Sequence, residues 1–184
     1  MSRKTARVLQ TLLIVVVVVA VVFYHVRPRG GPLNRLKNRS TAPQPSQINP
    51  AITMAALVAP GDDTNRWRDD EAAEITGYVW DVKDEADRDT HIELVPNPEH
   101  PKQKVIVEVT PRWRAIMGQR GVDWSTAALR DTLRGRWVRV RGWMLFDTHS
   151  KDESENTAPG RPRNWRWTAW EVHPITSIEL VPMP

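Results

Sequence analysis

The sequence contains no cysteine. That absence excludes disulfide frameworks, thiolate nucleophiles and cysteine-ligated zinc or iron–sulfur centres. Three missing motifs narrow the enzyme classes further, for there is no Gly-x-Ser-x-Gly elbow, no Walker phosphate loop and no HExxH metal helix. The carboxylates Asp152, Glu153 and Glu155 fall in a flexible, turn-rich stretch, where charge runs are ordinarily solvated. A non-enzymatic binding protein is therefore the expectation. Acidic residues are absent from residues 1–60, which hold eight Lys/Arg and leave 18 Lys/Arg against 22 Asp/Glu in residues 61–184. The formal net charge of +4 thus belongs to the N-terminal segment. The remainder is mildly acidic, which weighs against a long groove tracking a polyanion.

The N-terminal segment opens on a basic flank, residues 1–7, with Arg3, Lys4 and Arg7. Val8 to Tyr24 is then apolar apart from Gln10 and Thr11, and includes five consecutive valines, Val15 to Val19. A helix that is apolar all round has to be surrounded by something apolar. The run reaches the lower limit for crossing a hydrocarbon layer of about 30 Å. It ends VVFYHVRPRG, with bulky residues where a signal peptidase needs small ones. Residues 8–26 therefore read as an uncleaved transmembrane signal anchor in a single-pass protein of the cytoplasmic membrane. Basic residues follow the run as well as precede it, so their count leaves the orientation open. A short basic flank before an apolar run is the layout of export signals and favours an extracytoplasmic domain. Residues 27–68, rich in Pro, Gly, Ser, Asn and Gln, read as a semi-extended linker. Its basic half would lie on anionic lipid headgroups, at about 1 kcal/mol per Lys or Arg, or serve as a plain tether.

Residues 69–184 read as one domain. Its centre is Arg136 to Phe146, RWVRVRGWMLF, which alternates with the period of a strand. Val138, Val140, Gly142, Met144 and Phe146 share one side; Trp137, Arg139, Arg141, Trp143 and Leu145 share the other. A glycine in mid-strand marks a bulge or a bend. Upstream, Ile75–Lys83, Thr90–Val95 and Lys104–Thr110 read as three strands, the last two forming a hairpin across PNPEHPKQ. A helical turn over 113–119 precedes a helix capped by Asp123 or Ser125 and running to about Leu133. A polar loop, 147–163, is long enough to be functional or disordered. The last strand, from Trp165, is expected to break at His173-Pro174 because proline donates nothing to a ladder. Strand, strand, strand, helix, strand, strand is the order of a five-stranded OB-like barrel with one helix between strands 3 and 4.

Several long segments carry a family likeness: RDTHIEL (88–94), VIVEVTPRWR (105–114), LRGRWVRVRGWMLFD (133–147), ENTAPG (155–160) and NWRWTAWEVHPITSIEL (164–180). In these the chain resembles a family of uncharacterised bacterial OB-fold-like proteins. Many members carry a cysteine-bearing insertion before the DTHIE segment, where this chain has only DEAD. The resemblance implies the fold and the limits of the domain, and it brings no activity with it.

Two groups of residues carry candidate chemistry. His91 and Glu93 stand two apart on one strand, as do Glu171 and His173 on another. If the strands neighbour, two imidazoles and two carboxylates converge as a zinc, manganese or iron site, with His149 and Glu155 as further ligands. The same residues would also suit a wet sheet face, satisfied by partners such as Arg139 and Arg141. The second group is aromatic and basic. Trp137, Trp143, Trp165 and Trp167 interleave with Arg139, Arg141, Arg163 and Arg166, an arrangement that stacks bases of single-stranded nucleic acid or simply packs arginine on indole. The leading expectation is a ligand-binding face of Trp137, Arg139, Arg141, Trp143, Trp165 and Trp167 that takes an envelope protein, peptide or glycan. Single-stranded nucleic acid and a metal-dependent hydrolytic site at His91, Glu93 and His173 are the alternatives.

Overall fold

The computed structural model describes residues 32–184, so the expected basic flank (1–7), the anchor (8–26) and the start of the linker lie outside the described residues. No helix among the described residues is long and apolar enough to cross a membrane. In chain order come two short helices, α1 (Pro32–Lys37) and α2 (Met54–Leu57), then strands β1 (Ala72–Asp84), β2 (Thr90–Val95) and β3 (Val105–Val109). Two further helices, α3 (Pro111–Gln119) and α4 (Thr126–Leu133), lead to β4 (Trp137–Phe146) and β5 (Trp170–Leu180).

The strands close into a barrel in the order β1-β2-β3-β5-β4, with β4 returning to β1. Every pairing is antiparallel except β3 with β5. This is the five-stranded OB-like barrel that the alternating segments anticipate. Its interior is filled by the inward register of each strand, including Ile75, Val79, Ile92, Leu94, Val107, Val140 and Met144, none more than 1% exposed. Burying each such aliphatic side chain contributes roughly 1.5–3 kcal/mol.

Three details of the barrel differ from the sequence expectation or sharpen it. The connection between β3 and β4 holds two helices. Pro111 starts α3 at its first turn, where a missing N–H costs nothing, and the Thr110 hydroxyl accepts from the Trp113 backbone N–H. Strand β5 begins at Trp170 and runs unbroken through Pro174. The proline is tolerated because the β4–β5 register shifts on both sides of Gly142, so no ladder donor is needed there. Gly142 makes that shift close-packed, since a Cβ on it would stand 2.7 Å from Ile175 Cα and 2.8 Å from Val172 Cγ1.

The largest correction concerns residues 27–68. From residue 33 the expected linker is packed against the barrel as a strap. Ile52, Met54, Leu57 and Trp67 are buried in the same apolar cluster as the strand interiors. Ile48 bridges to Ala72 at the start of β1. Three indoles, one from α3 and two from the barrel, fix the strap's backbone, with Trp113 Nε1 donating to Arg39 O (2.9 Å), Trp143 Nε1 to Thr41 O (2.8 Å) and Trp170 Nε1 to Asp63 O (2.7 Å). Proline, arginine and small polar residues set the composition of this stretch, yet the apolar run ITMAALV within it decides its fate.

Candidate functional site

In an OB fold the outer face of strands 2 and 3, flanked by the β1–β2 and β4–β5 loops, is the surface that holds ligands. Here those loops are residues 85–89 and 147–169, and between them lies a cleft of about 300 Å³. The β1–β2 loop contributes Glu85 and Asp87, and the β4–β5 loop Asp147, Trp165 and Arg166. His91, Glu108 and Glu171 line it from β2, β3 and β5, and Lys37 of α1 stands at its edge. Five carboxylates therefore face two permanent cations. Lys37 Nζ is 3.3 Å from Asp87 Oδ2. Burial alone would lower the pKa of that ammonium, but Glu108, Glu171 and Asp87 outweigh it and raise it.

Behind the cleft is a buried polar network. His91 Nδ1 lies 3.1 Å from Glu108 Oε1. His173 Nδ1 lies 3.2 Å from Glu171 Oε2 in hydrogen-bonding geometry, and 2.8 Å from Glu108 Oε2 without it. On the other side of the same ring, Nε2 is 3.2 Å from Asp89 Oδ2. Arg166 holds Glu171 Oε1 through NH1 at 2.8 Å and gives Nε–H to the Thr168 carbonyl at 2.7 Å. All five of His173, Asp89, Glu108, Glu171 and Arg166 are at most 6% exposed. Burial opposes a charge on His173, yet the surrounding carboxylates, Glu108 first, raise its pKa well above the ordinary imidazole value. The reciprocal effect of His173 and His91 holds Glu108 far below the usual carboxylate range, against its own burial. Asp147 is lowered likewise, the Ser150 hydroxyl and the Arg166 charge outweighing burial.

Of the four residues expected to form a metal site, the structure brings His91, Glu171 and His173 together and sends Glu93 elsewhere. Glu93 is held by Lys83 Nζ at 2.6 Å and Lys104 Nζ at 2.9 Å. Asp89 and Glu108 complete the cluster and were missed. Glu108 is the one charge within the apolar strand VIVEV, on the register opposite Val105, Val107 and Val109, and that isolation was the available signal. Among the outlying candidates, His149 is exposed beside Asp147. Glu155 is engaged internally by Asn164 and the Gly160 backbone N–H.

The six aromatic and basic candidates do not form one platform. Trp165 is at the cleft, with its ring centroid 5.6 Å from that of His91. Trp137 packs edge-on against Tyr78. Trp143 is buried beneath the strap, with the Arg39 guanidinium 4.7 Å above its ring. Trp167 is half-buried where its backbone N–H meets Lys104 O. Arg139 and Arg141 are ion-paired to Glu179 and Glu74 along the sheet rather than to the His–Glu groups.

No protein-family model matches the sequence, and the comparison with curated proteins gives no match. Similar solved structures include a chain of the S. pombe Stn1–Ten1 complex, at 13% identity and TM-score 0.34 over 61% of this chain and 60% of that one. Another is Entamoeba histolytica asparaginyl-tRNA synthetase, at 9% identity and TM-score 0.38 over 68% of this chain. The chain spans 60% of the first and 23% of the second. The OB-like assignment rests on the barrel's own strand order.

Proposed function

We propose that this protein is a non-enzymatic OB-fold binding domain, anchored through residues 8–26, that takes a cationic segment of an envelope protein or peptide into the cleft between its β1–β2 and β4–β5 loops. The observation that carries the reading is the charge of that cleft. Glu85, Asp87, Glu108, Asp147 and Glu171 line the usual ligand face of the fold, and the ammonium of Lys37 already stands at its rim. Trp165 supplies an aromatic wall, on which a cation gains about 0.5–2 kcal/mol. Placement outside the cytoplasmic membrane is supported by the layout of a short basic flank before the apolar run of residues 8–24. The basic residues Arg27, Arg29 and Arg35 would add contact with anionic headgroups.

Single-stranded nucleic acid is the second reading. It is favoured by the position of the cleft, because OB domains hold oligonucleotides on this face, and by Trp165 as a stacking surface. Its phosphates would meet five carboxylates. The discriminating experiment titrates the full chain with oligolysine and with single-stranded DNA and RNA across salt, read by tryptophan fluorescence. The expected result is peptide binding that weakens with salt and is reduced at least tenfold by Glu85→Gln with Asp87→Asn, both exposed substitutions. Oligonucleotide binding without peptide binding would replace this reading with the second.

A further inference from the structure

We infer that the buried cluster behind the cleft is a divalent-metal site, with His173, Asp89 and Glu108 as its ligands and a first-row ion such as zinc or manganese as its occupant. The inference does not depend on what the cleft binds.

One donor atom from each of the three side chains lies within 4.8 Å of the other two. Small side-chain shifts close that spacing onto an ion bonded at about 2.0–2.2 Å. The hydrogen bonds leave specific atoms over. His173 uses Nδ1 toward Glu171 Oε2, and its Nε2 is buried without a hydrogen bond. Glu108 uses Oε1 toward His91, and its Oε2, 2.8 Å from His173 Nδ1, is buried without a hydrogen bond. In both side chains, therefore, one polar atom makes a hydrogen bond and the other is buried without one, close to a neighbouring ligand. Asp89 Oδ2 stands 3.2 Å from His173 Nε2 yet out of line for hydrogen bonding. That spacing is the edge expected between two ligands of one tetrahedral ion with bonds near 2.0 Å.

The surroundings match the way proteins hold metal-bound histidine. A ligating imidazole donates its other N–H to a carboxylate, which is itself hydrogen-bonded. Here Glu171 takes the His173 Nδ1 side and is fixed in turn by Arg166 NH1 at 2.8 Å. Charge gives an independent reason. Asp89, Glu108 and Glu171 place three carboxylates at 5%, 6% and 3% exposure, and Arg166 is the one permanent cation buried among them. Buried charges need partners, and a divalent ion on a neutral His173 balances this set. One imidazole with two carboxylates suits zinc, manganese or iron rather than calcium or magnesium, which prefer oxygen alone.

The test uses tag-free full chain, stripped with chelator and titrated with Zn²⁺ and Mn²⁺ by calorimetry, with metal content measured by mass spectrometry after dialysis. The expected result is about one ion per chain and a thermal transition raised by metal. Asp89→Asn should abolish both. Glu171→Gln, which alters an orienting group, should weaken uptake about 10- to 100-fold without abolishing it. Should Asp89→Asn fail to fold by circular dichroism, Glu108→Gln serves in its place. A folded wild-type chain that takes up neither ion, or ligand variants that bind as the wild type does, would overturn the site. Oligolysine binding is read separately, so failure here leaves the cleft reading standing, and the reverse also holds.

Discussion

Leu57→Ala tests whether residues 33–68 belong to the folded domain. Leu57 lies in the four-residue helix α2, is fully buried and joins the apolar cluster of the barrel. Truncating a buried leucine costs about 2–5 kcal/mol, through lost transfer energy and the cavity left behind. In a domain of this size each kcal/mol lowers the melting temperature by about 2–4 °C. The expected fall is therefore about 4–20 °C, read by calorimetry or by tryptophan emission on heating. Ala51→Ser, at an exposed position of the same strap, is the control and should leave the transition in place. A Leu57→Ala transition within about 2 °C of the wild type would show that the strap adds nothing to the fold, and the linker reading of these residues would return. Deletion makes the same point from the other side. A chain beginning at residue 69 should fail to fold cooperatively, whereas one beginning at residue 33 should retain the wild-type transition.

Other perturbations follow from single contacts. Gly142→Ala places a Cβ against the backbone of Ile175 and the carbonyl of Pro174, and overpacking of this kind costs about 1–3 kcal/mol, seen as a lower denaturation midpoint. Asp63→Ala strands the buried donors of Asn156 and Thr168, which it accepts at 2.8 and 2.7 Å; the cost is about 1–3 kcal/mol, and limited proteolysis should cut the 147–169 loop faster. The Glu93 carboxyl is lowered because Lys83 and Lys104 outweigh its burial. A lowered folded pKa gives stability that is present above the unfolded carboxylate value of about 4.3 and lost as pH falls through the folded one. Glu93→Gln should thus flatten the loss of stability below about pH 4.3, and an unchanged acid slope would refute the assignment.

Strand positions were legible because apolar alternation at a period of two survives in a barrel with one packed interior. The β2 segment THIELV and the β4 segment RWVRVRGWMLF lie in the structure within a residue of their sequence bounds. The bulge at Gly142 was legible for the same reason, as a gap in an otherwise filled register. The candidate site was legible only in part. Spacing placed His91 with Glu93 and Glu171 with His173 on common faces, but a shared face says nothing of position along the strand. Glu93 lies opposite Ile106, and Lys83 and Lys104 claim its carboxylate. His91 lies opposite Glu108, which reaches His173. That pairing follows from the parallel contact of β3 with β5, a tertiary fact that no local pattern encodes. The strap was hidden by composition, its prolines and glutamines outnumbering the few aliphatic side chains that bind it to the barrel.

The three indole bonds to the strap divide the constraint on the sequence unequally. Trp113, Trp143 and Trp170 donate to the backbone carbonyls of Arg39, Thr41 and Asp63. A carbonyl is present whatever side chain the residue carries, so these bonds recognise the path of the strap rather than its letters. Positions 39 and 41 are free, as far as these bonds are concerned, to change from one relative to the next. Each tryptophan, by contrast, carries both an apolar surface and a single N–H that no other side chain reproduces. At positions 39 and 41 the strap can drift in sequence while keeping its course, and the indoles beneath it cannot.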